Sequence, residues 1–294
     1  MKIILLGKNG QVGSKIINKN KDYFFELFSF SKKELNISNF KDVEAKINII
    51  KPDIIVNATA YNFVDLAEDN EKEAFKINQD SLDFISFFCN KLQIPLIHLS
   101  TDFVFDGSSP YPYKEDDKVN PLNIYGKSKV GGENVIKKNL DKHIIIRTSW
   151  VFSEIGNNFF KTILKLLETK KSISIVENQI GSPTSAESIS DIIMKILKIY
   201  SLNKNLKWGT FHFSGYPYCS WYEFANEISS QYLKYSGSLN CATLVPIDSK
   251  SYNSKALRPK NSRLNCSKIN EIFGFKQDDW RASLSTIMKN IYEN

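Results

Sequence analysis

The sequence is poor in the residues that build metal and disulfide sites. Its 294 residues include 4 cysteines and 3 histidines. The cysteines lie far apart in the chain: Cys89, Cys219, Cys241 and Cys266. Because they form no Cys-x-x-Cys pair, neither a disulfide framework nor a zinc cluster is expected. The histidines are equally scattered, so the sequence predicts no metal centre.

The sequence also lacks long hydrophobic runs. No apolar stretch reaches the roughly 18 residues that a membrane-spanning helix needs. Residues 1–7 hold too short an apolar stretch for a signal peptide, and no small-residue cleavage site follows them. We therefore expect a cytoplasmic protein with no membrane partner.

The excess of positive charge is not organised for nucleic acid. The chain carries 39 Lys and Arg residues against 32 Asp and Glu residues, a net charge of +7. The lysines are scattered with acids between them, and no basic stripe with interleaved aromatic residues is present. We expect a solvated, lysine-rich surface and no nucleic-acid partner. Part of the charge could attract an anionic small molecule.

Strand-length apolar runs alternate with longer amphipathic stretches through the first half of the chain. The expected strands span residues 2–6, 24–30, 53–57, 96–100 and 143–147. The expected helices begin at residue 10 and span residues 39–50, 71–92 and 128–139. Such alternation is typical of parallel crossovers. We therefore predict an α/β protein with a Rossmann-like, doubly wound parallel sheet.

The first expected strand runs into a glycine-bearing turn with Gly7, Gly10 and Gly13 spaced three residues apart. A tight turn from strand to helix favours residues without Cβ, and so does close approach of main-chain N–H groups to a pyrophosphate. The alternative is an ordinary strand-to-helix turn. Because the turn follows the first strand of the alternating pattern, dinucleotide binding is the favoured interpretation.

The end of the second expected strand selects between cofactors. An acid there would accept hydrogen bonds from a free ribose 2′-hydroxyl, whereas a base accommodates a 2′-phosphate. After Phe30 the chain reads Ser31-Lys32-Lys33, with no acid before Glu34. This pattern predicts NADPH in preference to NADH, with Ser31 and Lys32 at the cofactor and Lys32 as the phosphate partner. The same residues also fit a solvated lysine pair.

A tyrosine and a lysine four residues apart, Tyr125 and Lys129, open the helix after the fourth expected strand. Residues at this spacing share one helix face, so the Lys129 ammonium could lie beside the Tyr125 phenol and lower its pKa. The phenol could then donate a proton to a carbonyl oxygen that the Thr101 hydroxyl holds. A partly exposed helical pair is the alternative. The order of glycine turn, hydroxyl and pair along the chain favours carbonyl chemistry on a nicotinamide cofactor.

This order of motifs resembles the extended short-chain dehydrogenase/reductase family, and further segments resemble its dTDP-4-dehydrorhamnose reductase branch. The most particular segments are Ser-Thr-Asp-x-Val-Phe-Asp-Gly at residues 100–107, Arg-Thr-Ser-Trp-Val at 147–151 and Arg-Pro-x-Asn-Ser-x-Leu at 258–264. The matching segments extend over nearly the whole chain. Two positions depart from the branch: Thr59 stands where alanine is common, and Phe103 stands where tyrosine is common.

The resemblance implies NADPH-dependent reduction of the 4-keto group of dTDP-4-dehydro-L-rhamnose, a step in the synthesis of cell-surface polysaccharide precursors. On matching positions, the catalytic set would be Thr101, Tyr125 and Lys129. The cofactor would also be bound by residues that follow the first three strands: Gly10, Gln11, Val12, Asn36, Ile37, Ala58, Thr59, Ala60 and Tyr61. The sugar-nucleotide substrate would be bound by Thr101, Asp102, Trp150 and Arg258.

Several of these residues also have plain structural interpretations. Trp150 follows a strand end, where ligands bind in open α/β sheets, but it equally fits a core position. Arg258 could hold a phosphate with two guanidinium nitrogens, and it also fits a surface ion pair. Asp106 is interpreted as a turn residue and Asn158 as a helix cap.

Beyond residue 150 the alternation loosens. Helices are expected over residues 158–167, 189–199 and 220–232, the last one capped by Ser220. We therefore divide the chain into residues 1–150, an NAD(P)-binding Rossmann domain, and residues 151–294, a smaller C-terminal α/β region that mainly binds substrate. Some segments of the second part are expected to return to the first domain.

Two other functions fit the same scaffold. One is a sugar-nucleotide epimerase or dehydratase, although Asp102 offers a single acid where a dehydratase usually needs a pair. The other is a non-catalytic NADP-binding regulatory subunit, like the relative that serves methionine adenosyltransferase. The expected helices over residues 71–92 and 128–139 could supply a homodimer face. Some relatives dimerise around magnesium held by glutamates, and the sequence leaves that ion open, as it does NADH in place of NADPH.

Overall fold

A computed structural model describes residues 1–238 and 241–293, and residues 239, 240 and 294 of the predicted second region lie outside the described residues. The strands are β1 Lys2–Leu6, β2 Glu26–Phe30, β3 Ile54–Asn57, β4 Leu96–Thr101, β5 His143–Thr148, β6 Val151–Phe152, β7 Ser172–Val176, β8 Ile180–Gly181, β9 Thr184–Ser185, β10 Gly209–His212, β11 Cys219–Ser220 and β12 Thr243–Ile247. The helices are α1 Gln11–Tyr23, α2 Phe40–Ile50, α3 Val64–Ala67, α4 Glu71–Phe75, α5 Ser81–Leu92, α6 Ile124–Asn139, α7 Phe159–Thr169, α8 Ala186–Asn203, α9 Trp221–Ser236, α10 Ser267–Phe273 and α11 Trp280–Tyr292.

The largest sheet has 6 parallel strands in the order β10-β5-β4-β3-β1-β2. The register places Ile3 opposite Ile54 and Ile97 opposite Ile144, so apolar side chains run across the sheet. Continuous apolar strands are typical of parallel sheets that are covered on both faces. The predicted doubly wound α/β fold is confirmed.

Helices cover both faces of this sheet. On one face, Leu5 shares a core with Ile16 of α1, and α8 packs beside α1. On the other face, Ile4 shares a core with Ile47 of α2 and Ile85 of α5. Because successive side chains of a strand point to opposite faces, the neighbours Ile4 and Leu5 enter different cores.

The helix predicted over residues 71–92 is interrupted by a π-helical turn, Lys76–Asp80, between α4 and α5. Asn78 in this turn is buried. Its side-chain amide accepts a hydrogen bond from the Tyr61 N–H at 2.8 Å and donates one to the Tyr61 carbonyl at 3.0 Å. The same amide donates to the Ser128 hydroxyl at 2.9 Å. The π turn therefore ties the loop after β3 to α6, a placement often found at functional sites.

Helix α6 begins earlier than predicted, because Asn123 caps it. The Asn123 side chain accepts a hydrogen bond from the main-chain N–H of Gly126 at 2.7 Å. Its amide nitrogen donates to the Leu257 carbonyl at 2.7 Å, which joins the helix start to a distant loop. Tyr125 and Lys129 consequently lie on the first two turns of α6.

Segments after residue 150 build a third core and also return to the sheet. Strand β10 pairs with β5, and α8 packs against α1. The separate core includes Phe160, Phe224 and Trp280, from α7, α9 and α11. Asn158 and Ser220 cap α7 and α9, as the sequence predicts. The division of the chain at residue 150 stays a prediction.

Candidate active site

Two glycines shape the turn after β1. Gly7 has a φ of 94°, a conformation that favours glycine. A Cβ on Gly13 would lie 2.1 Å from the Gly7 carbonyl oxygen, so α1 can start directly under the turn only without a side chain there. The N–H groups of Gly7 and Lys8 both donate to the Phe30 carbonyl, at 2.9 and 3.1 Å. An anion above this turn would meet the N-terminus of α1.

A cavity of about 570 Å³ opens beside this turn, at the carboxyl ends of the central strands. This volume lies within the roughly 300–1,000 Å³ of typical ligand pockets. Every predicted cofactor residue except Gly13 lines it: Gly7, Gly10, Gln11, Val12, Ser31, Lys32, Asn36, Ile37, Ala58, Thr59, Ala60, Tyr61, Tyr125 and Lys129. Gly13 is buried under the turn and serves close packing instead. A larger depression of about 840 Å³ lies at the opposite, amino ends of β5 and β10.

Sequence reasoning missed other residues around the cavity. They are Asn9, Leu35, Asn62, Phe63, Glu73, Ile77, Leu99, Ser100, Thr148, Val151, Gly156 and Asn157. Gly156 and Asn157 come from the second part of the chain and belong to a motif, Gly-Asn-Asn-Phe, that was the available signal. Gln11 fixes their segment, because its side-chain oxygen Oε1 accepts from the Ser153 hydroxyl at 2.9 Å and from the Asn158 amide at 2.8 Å.

An acid reaches the end of β2 through a turn. One oxygen of the Glu34 carboxylate accepts from the main-chain N–H and the hydroxyl of Ser31, at 2.8 and 2.7 Å. The other oxygen accepts from the Lys8 ammonium at 2.6 Å. The hydrogen bond from Lys8 and those from Ser31 lower the pKa of Glu34 to about 2. Lys32 is exposed at the cavity rim. The sequence prediction considers an acid only at the strand end and therefore misses Glu34, which the turn brings back to Ser31.

The Tyr125 phenol keeps its proton. Burial raises the pKa of Tyr125 to about 12, a hydrogen bond with Thr101 acts against this, and the charge of Asp102 adds to it. This direction is opposite to the one predicted from the Tyr-x-x-x-Lys spacing, because burial of the phenol dominates. The Phe103 ring lies edge-on to Tyr125, with centroids 6.0 Å apart. A phenol that is protonated at neutral pH suits a proton donor.

Lys129 is buried, 1% exposed, and points to the end of β4. Its Nζ donates to the Leu99 carbonyl at 2.7 Å and lies 3.1 Å from Nε2 of His98. Burial lowers the pKa of Lys129 to about 8, against the charge of Glu133, which raises it. Burial also lowers the pKa of His98 well below its usual value, so the ring is neutral. The sequence gives no sign that His98 contacts Lys129.

A buried ion pair adjoins these residues. Arg147 donates from Nε and Nη2 to the two carboxylate oxygens of Glu133, at 2.8 and 2.7 Å. The Ser100 hydroxyl donates to the same carboxylate at 2.7 Å. Burial alone would raise the pKa of Glu133, but Arg147 lowers it to about 2. Because Ser100 also lines the cavity, the pair fixes one of the cavity walls.

Thr101 and Asp102 are buried at the end of β4 and do not line the cavity. The Thr101 hydroxyl donates to the Asp102 carboxylate at 2.9 Å and accepts from the Phe103 N–H at 3.2 Å. Burial raises the pKa of Asp102 to about 7, against the hydrogen bond from Thr101 that lowers it. Thr101 therefore lies between Asp102 and Tyr125 and interacts with both.

The two remaining substrate candidates are engaged with other side chains. Trp150 has a φ of 45° and stacks on Trp221, with ring centroids 3.5 Å apart and planes 9° from parallel. Arg258 forms an ion pair with Asp65, with nitrogen–oxygen distances of 2.6 and 3.3 Å. Both arrangements match the structural alternatives expected from the sequence. Asp106 holds a turn, as expected, by accepting hydrogen bonds from the neighbouring loop.

Over residues 1–238 and 241–293, no three His, Cys, Asp or Glu side chains come together in a group that could hold a metal ion. Over the same ranges, no helix combines the length and apolar character that a bilayer crossing requires.

The fold and the site together define an oxidoreductase built on a Rossmann-type sheet. The family model described as RmlD substrate binding domain matches residues 1–293, and the chain belongs to this family. The family resemblance inferred from the sequence motifs is therefore confirmed.

Named relatives match over nearly their whole length. The chain is 36% identical to the dTDP-4-dehydrorhamnose reductase of Aggregatibacter actinomycetemcomitans, over 97% of this chain and 98% of that protein. It is 34% identical to a spore coat polysaccharide biosynthesis protein of Bacillus subtilis, over 96% of this chain and 95% of that protein.

Solved structures show the same likeness. A dTDP-4-dehydrorhamnose reductase from Clostridium acetobutylicum has a TM-score of 0.91 at 31% identity, with 99% of each chain covered. The dTDP-4-dehydrorhamnose reductase from Bacillus anthracis, solved in complex with NADP, has a TM-score of 0.90 at 32% identity, covering 98% of this chain and 99% of that one.

Proposed function

We propose that this chain reduces the 4-keto group of dTDP-4-dehydro-L-rhamnose to give dTDP-L-rhamnose, with a nicotinamide cofactor as reductant. The observation that carries the proposal is that Tyr125, Lys129 and the glycine turn meet around a single cavity. Full-length relatives that are at least 33% identical bear the name of this reductase, which supports the same reaction here.

The residues present fit a dinucleotide. Gly10 lines the cavity with main chain alone, and a Cβ there would lie 3.3 Å from the Gly7 carbonyl oxygen, a tight contact. We propose NADPH as the preferred form, with Ser31 and Lys32 at the 2′-phosphate and with Asn36 and Ile37 near the adenine. NADH is the alternative cofactor. When bound, the nicotinamide supplies a hydride to the substrate carbon.

In the proposed reaction, Tyr125 donates the proton that the ketone oxygen needs. Its pKa of about 12 keeps the phenol protonated at neutral pH. Thr101 holds the ketone oxygen only when its hydroxyl proton, donated to Asp102 in this structure, turns to that oxygen. Lys129 contributes a buried cation and hydrogen bonds to the nicotinamide ribose. These roles require positioning and electrostatics from the protein and no metal ion.

We propose Thr101, Asp102, Trp150 and Arg258 as the substrate contacts. Trp150 and Arg258 already contact other side chains, and these contacts limit how each residue can bind substrate. Arg258 can hold a phosphate only if it shares or releases Asp65, and Trp150 can cover the sugar only with a ring edge that Trp221 leaves free. We also propose that the chain forms a homodimer and that it divides into two regions at residue 150.

The test is consumption of NADPH with enzymatically made dTDP-4-dehydro-L-rhamnose, with the product sugar identified by NMR. We expect one NADPH oxidised for each dTDP-L-rhamnose formed. An epimerase or dehydratase would change the sugar without net NADPH consumption. A regulatory subunit would bind NADP and form no product. Either of these results would overturn the proposal.

A further inference from the structure

The Glu34 carboxylate is an internal anion that bonds to Ser31, a residue lining the corner of the cavity that would face the adenosine ribose. Ser31 and Lys32 line the cavity, and Lys8 belongs to the glycine turn. The Glu34 carboxylate takes hydrogen bonds from the Ser31 N–H, the Ser31 hydroxyl and the Lys8 ammonium, at 2.8, 2.7 and 2.6 Å. One carboxylate thus engages three donors at the rim of this corner.

These donors are the kind that recognise a phosphate. A 2′-phosphate is bound by cations, hydroxyls and main-chain N–H groups, and a charge-assisted hydrogen bond is stronger than a neutral one. Here Glu34 takes up the charge of Lys8 and the hydrogen bonds of Ser31. The turn leaves Lys32 exposed, without a side-chain partner among the described residues. Its single positive charge would face both the 2′-phosphate and the Glu34 carboxylate.

We infer that Glu34 is the residue that limits discrimination between NADPH and NADH in this chain. The Glu34 carboxylate neutralises the Lys8 ammonium, takes up the hydrogen bonds of Ser31 and repels the 2′-phosphate. The preference for NADPH over NADH is therefore smaller than the presence of Lys8, Lys32 and Lys33 alone would predict. The inference rests on the proposed use of a nicotinamide cofactor. It concerns the relative affinity for the two cofactors and leaves the chemical step unchanged.

A purely structural role of Glu34 makes a different prediction. If the carboxylate only held the turn after β2, its loss would weaken both cofactors alike, because Ser31, Asn36 and Ile37 line the cavity on that side. The Glu34→Gln variant keeps an oxygen that can accept from the Ser31 N–H, but it removes the negative charge. It therefore separates the electrostatic effect from support of the turn.

The experiment measures dissociation constants of NADPH and NADH by titration calorimetry, without sugar nucleotide, for the full chain and for Glu34→Gln. Adenosine 2′,5′-bisphosphate and adenosine 5′-monophosphate serve as smaller probes of the same corner. We expect Glu34→Gln to tighten NADPH and the bisphosphate by about tenfold and to change NADH and the monophosphate by less than about twofold. Glu26→Gln is the matched control, because Glu26 is exposed at the other end of β2. It should change neither the affinity ratio of NADPH to NADH nor that of the bisphosphate to the monophosphate.

A second variant identifies the donor that is released. Adding Lys8→Gln to Glu34→Gln should remove most of the gain for NADPH, since Lys8 would be the cation set free. Equal changes for both cofactors, or no change in the ratio, would overturn the inference while the proposed function stands. Failure of the unaltered chain to bind either cofactor would overturn both.

Discussion

The cofactor side and the substrate side of the site are built by different means. The cofactor side is formed by main chain: a turn closed by Gly7 and Gly13, and loops that follow successive strands. On the substrate side, the predicted Trp150 and Arg258 are held by other side chains, Trp221 and Asp65. A wall made of backbone is fixed once the sheet forms. A wall made of side chains can rearrange when a ligand competes for the same contacts.

The largest expected effect falls where the two sides meet, at Tyr125. Replacing Tyr125 by Phe removes the proposed proton donor, and general acid catalysis is worth about 10²–10⁴-fold in rate. We expect kcat to fall by this amount, while the dissociation constant for NADPH changes by less than about twofold. Steady-state kinetics and calorimetry check the two halves of the prediction. Near-normal kcat in the variant would remove Tyr125 from the mechanism.

The next effect concerns the buried ion pair behind the cofactor side. Glu133→Gln leaves the Arg147 charge uncompensated at a site that is fully buried, so the free energy of unfolding should fall by about 3–5 kcal/mol. Asp65→Asn breaks the half-exposed pair with Arg258 and should cost about 1 kcal/mol or less. Urea unfolding of both variants measures the contrast, and equal losses would contradict it.

The glycine turn offers a matched pair of variants. Gly13→Ala forces a Cβ to within 2.1 Å of a carbonyl oxygen, so we expect a loss of about 1–3 kcal/mol in the free energy of unfolding. Gly10→Ala places its Cβ 3.3 Å from the Gly7 carbonyl oxygen, a tight contact that a small shift relieves, so it should cost less stability than Gly13→Ala while weakening cofactor binding. Chemical unfolding and calorimetry distinguish the two. If the two alanines behaved alike, the packing role of Gly13 would be wrong.

The pH dependence of kcat/KM tests the charge on Lys129. A lysine is charged below its pKa, and burial lowers that pKa to about 8 in the free protein. Activity that depends on the cation should therefore be full at pH 7 and fall about tenfold for each pH unit well above 8. In Lys129→Gln the low residual activity should show no such fall. A wild-type profile that stays flat to pH 10 would exclude a requirement for this charge.

The smallest expected effect tests whether Arg258 leaves its ion pair to bind substrate. Arg258→Gln should raise KM for the sugar nucleotide by up to about tenfold with kcat unchanged, because binding is lost in the ground and transition states alike. Asp65→Asn, which frees the arginine, should leave KM equal or lower. Parallel changes in the two variants would show that Arg258 is a structural partner of Asp65 and no more.

The parts of the molecule that follow local rules were predictable from the sequence. The apolar runs around Ile4 and Ile145 predict buried parallel strands, and Asn158 and Ser220 predict helix starts through their caps. The glycine turn was also predictable, because the spacing of its glycines indicates the positions at which a side chain would not fit.

The parts that depend on contacts between distant segments were not predictable. Tyr125 and Lys129 have the expected spacing, but burial raises the pKa of the phenol, and His98, thirty-one positions before Lys129, contacts the ammonium. Glu34 returns to Ser31 through a turn that residue counting overlooks. The π turn at Asn78 is associated with hydrogen bonds to the main chain of Tyr61, which the spacing of apolar residues in the sequence does not reveal.

The most direct test of the central claim follows the hydride. The chain is supplied with NADPH deuterated at C4 of the nicotinamide and with dTDP-4-dehydro-L-rhamnose, and the product is examined by NMR and mass spectrometry. We expect one deuterium at C4 of a dTDP-L-rhamnose product when the label is on the transferred face, and none when it is on the other face. A product without deuterium at C4 from either label, or no product at all, would contradict the account.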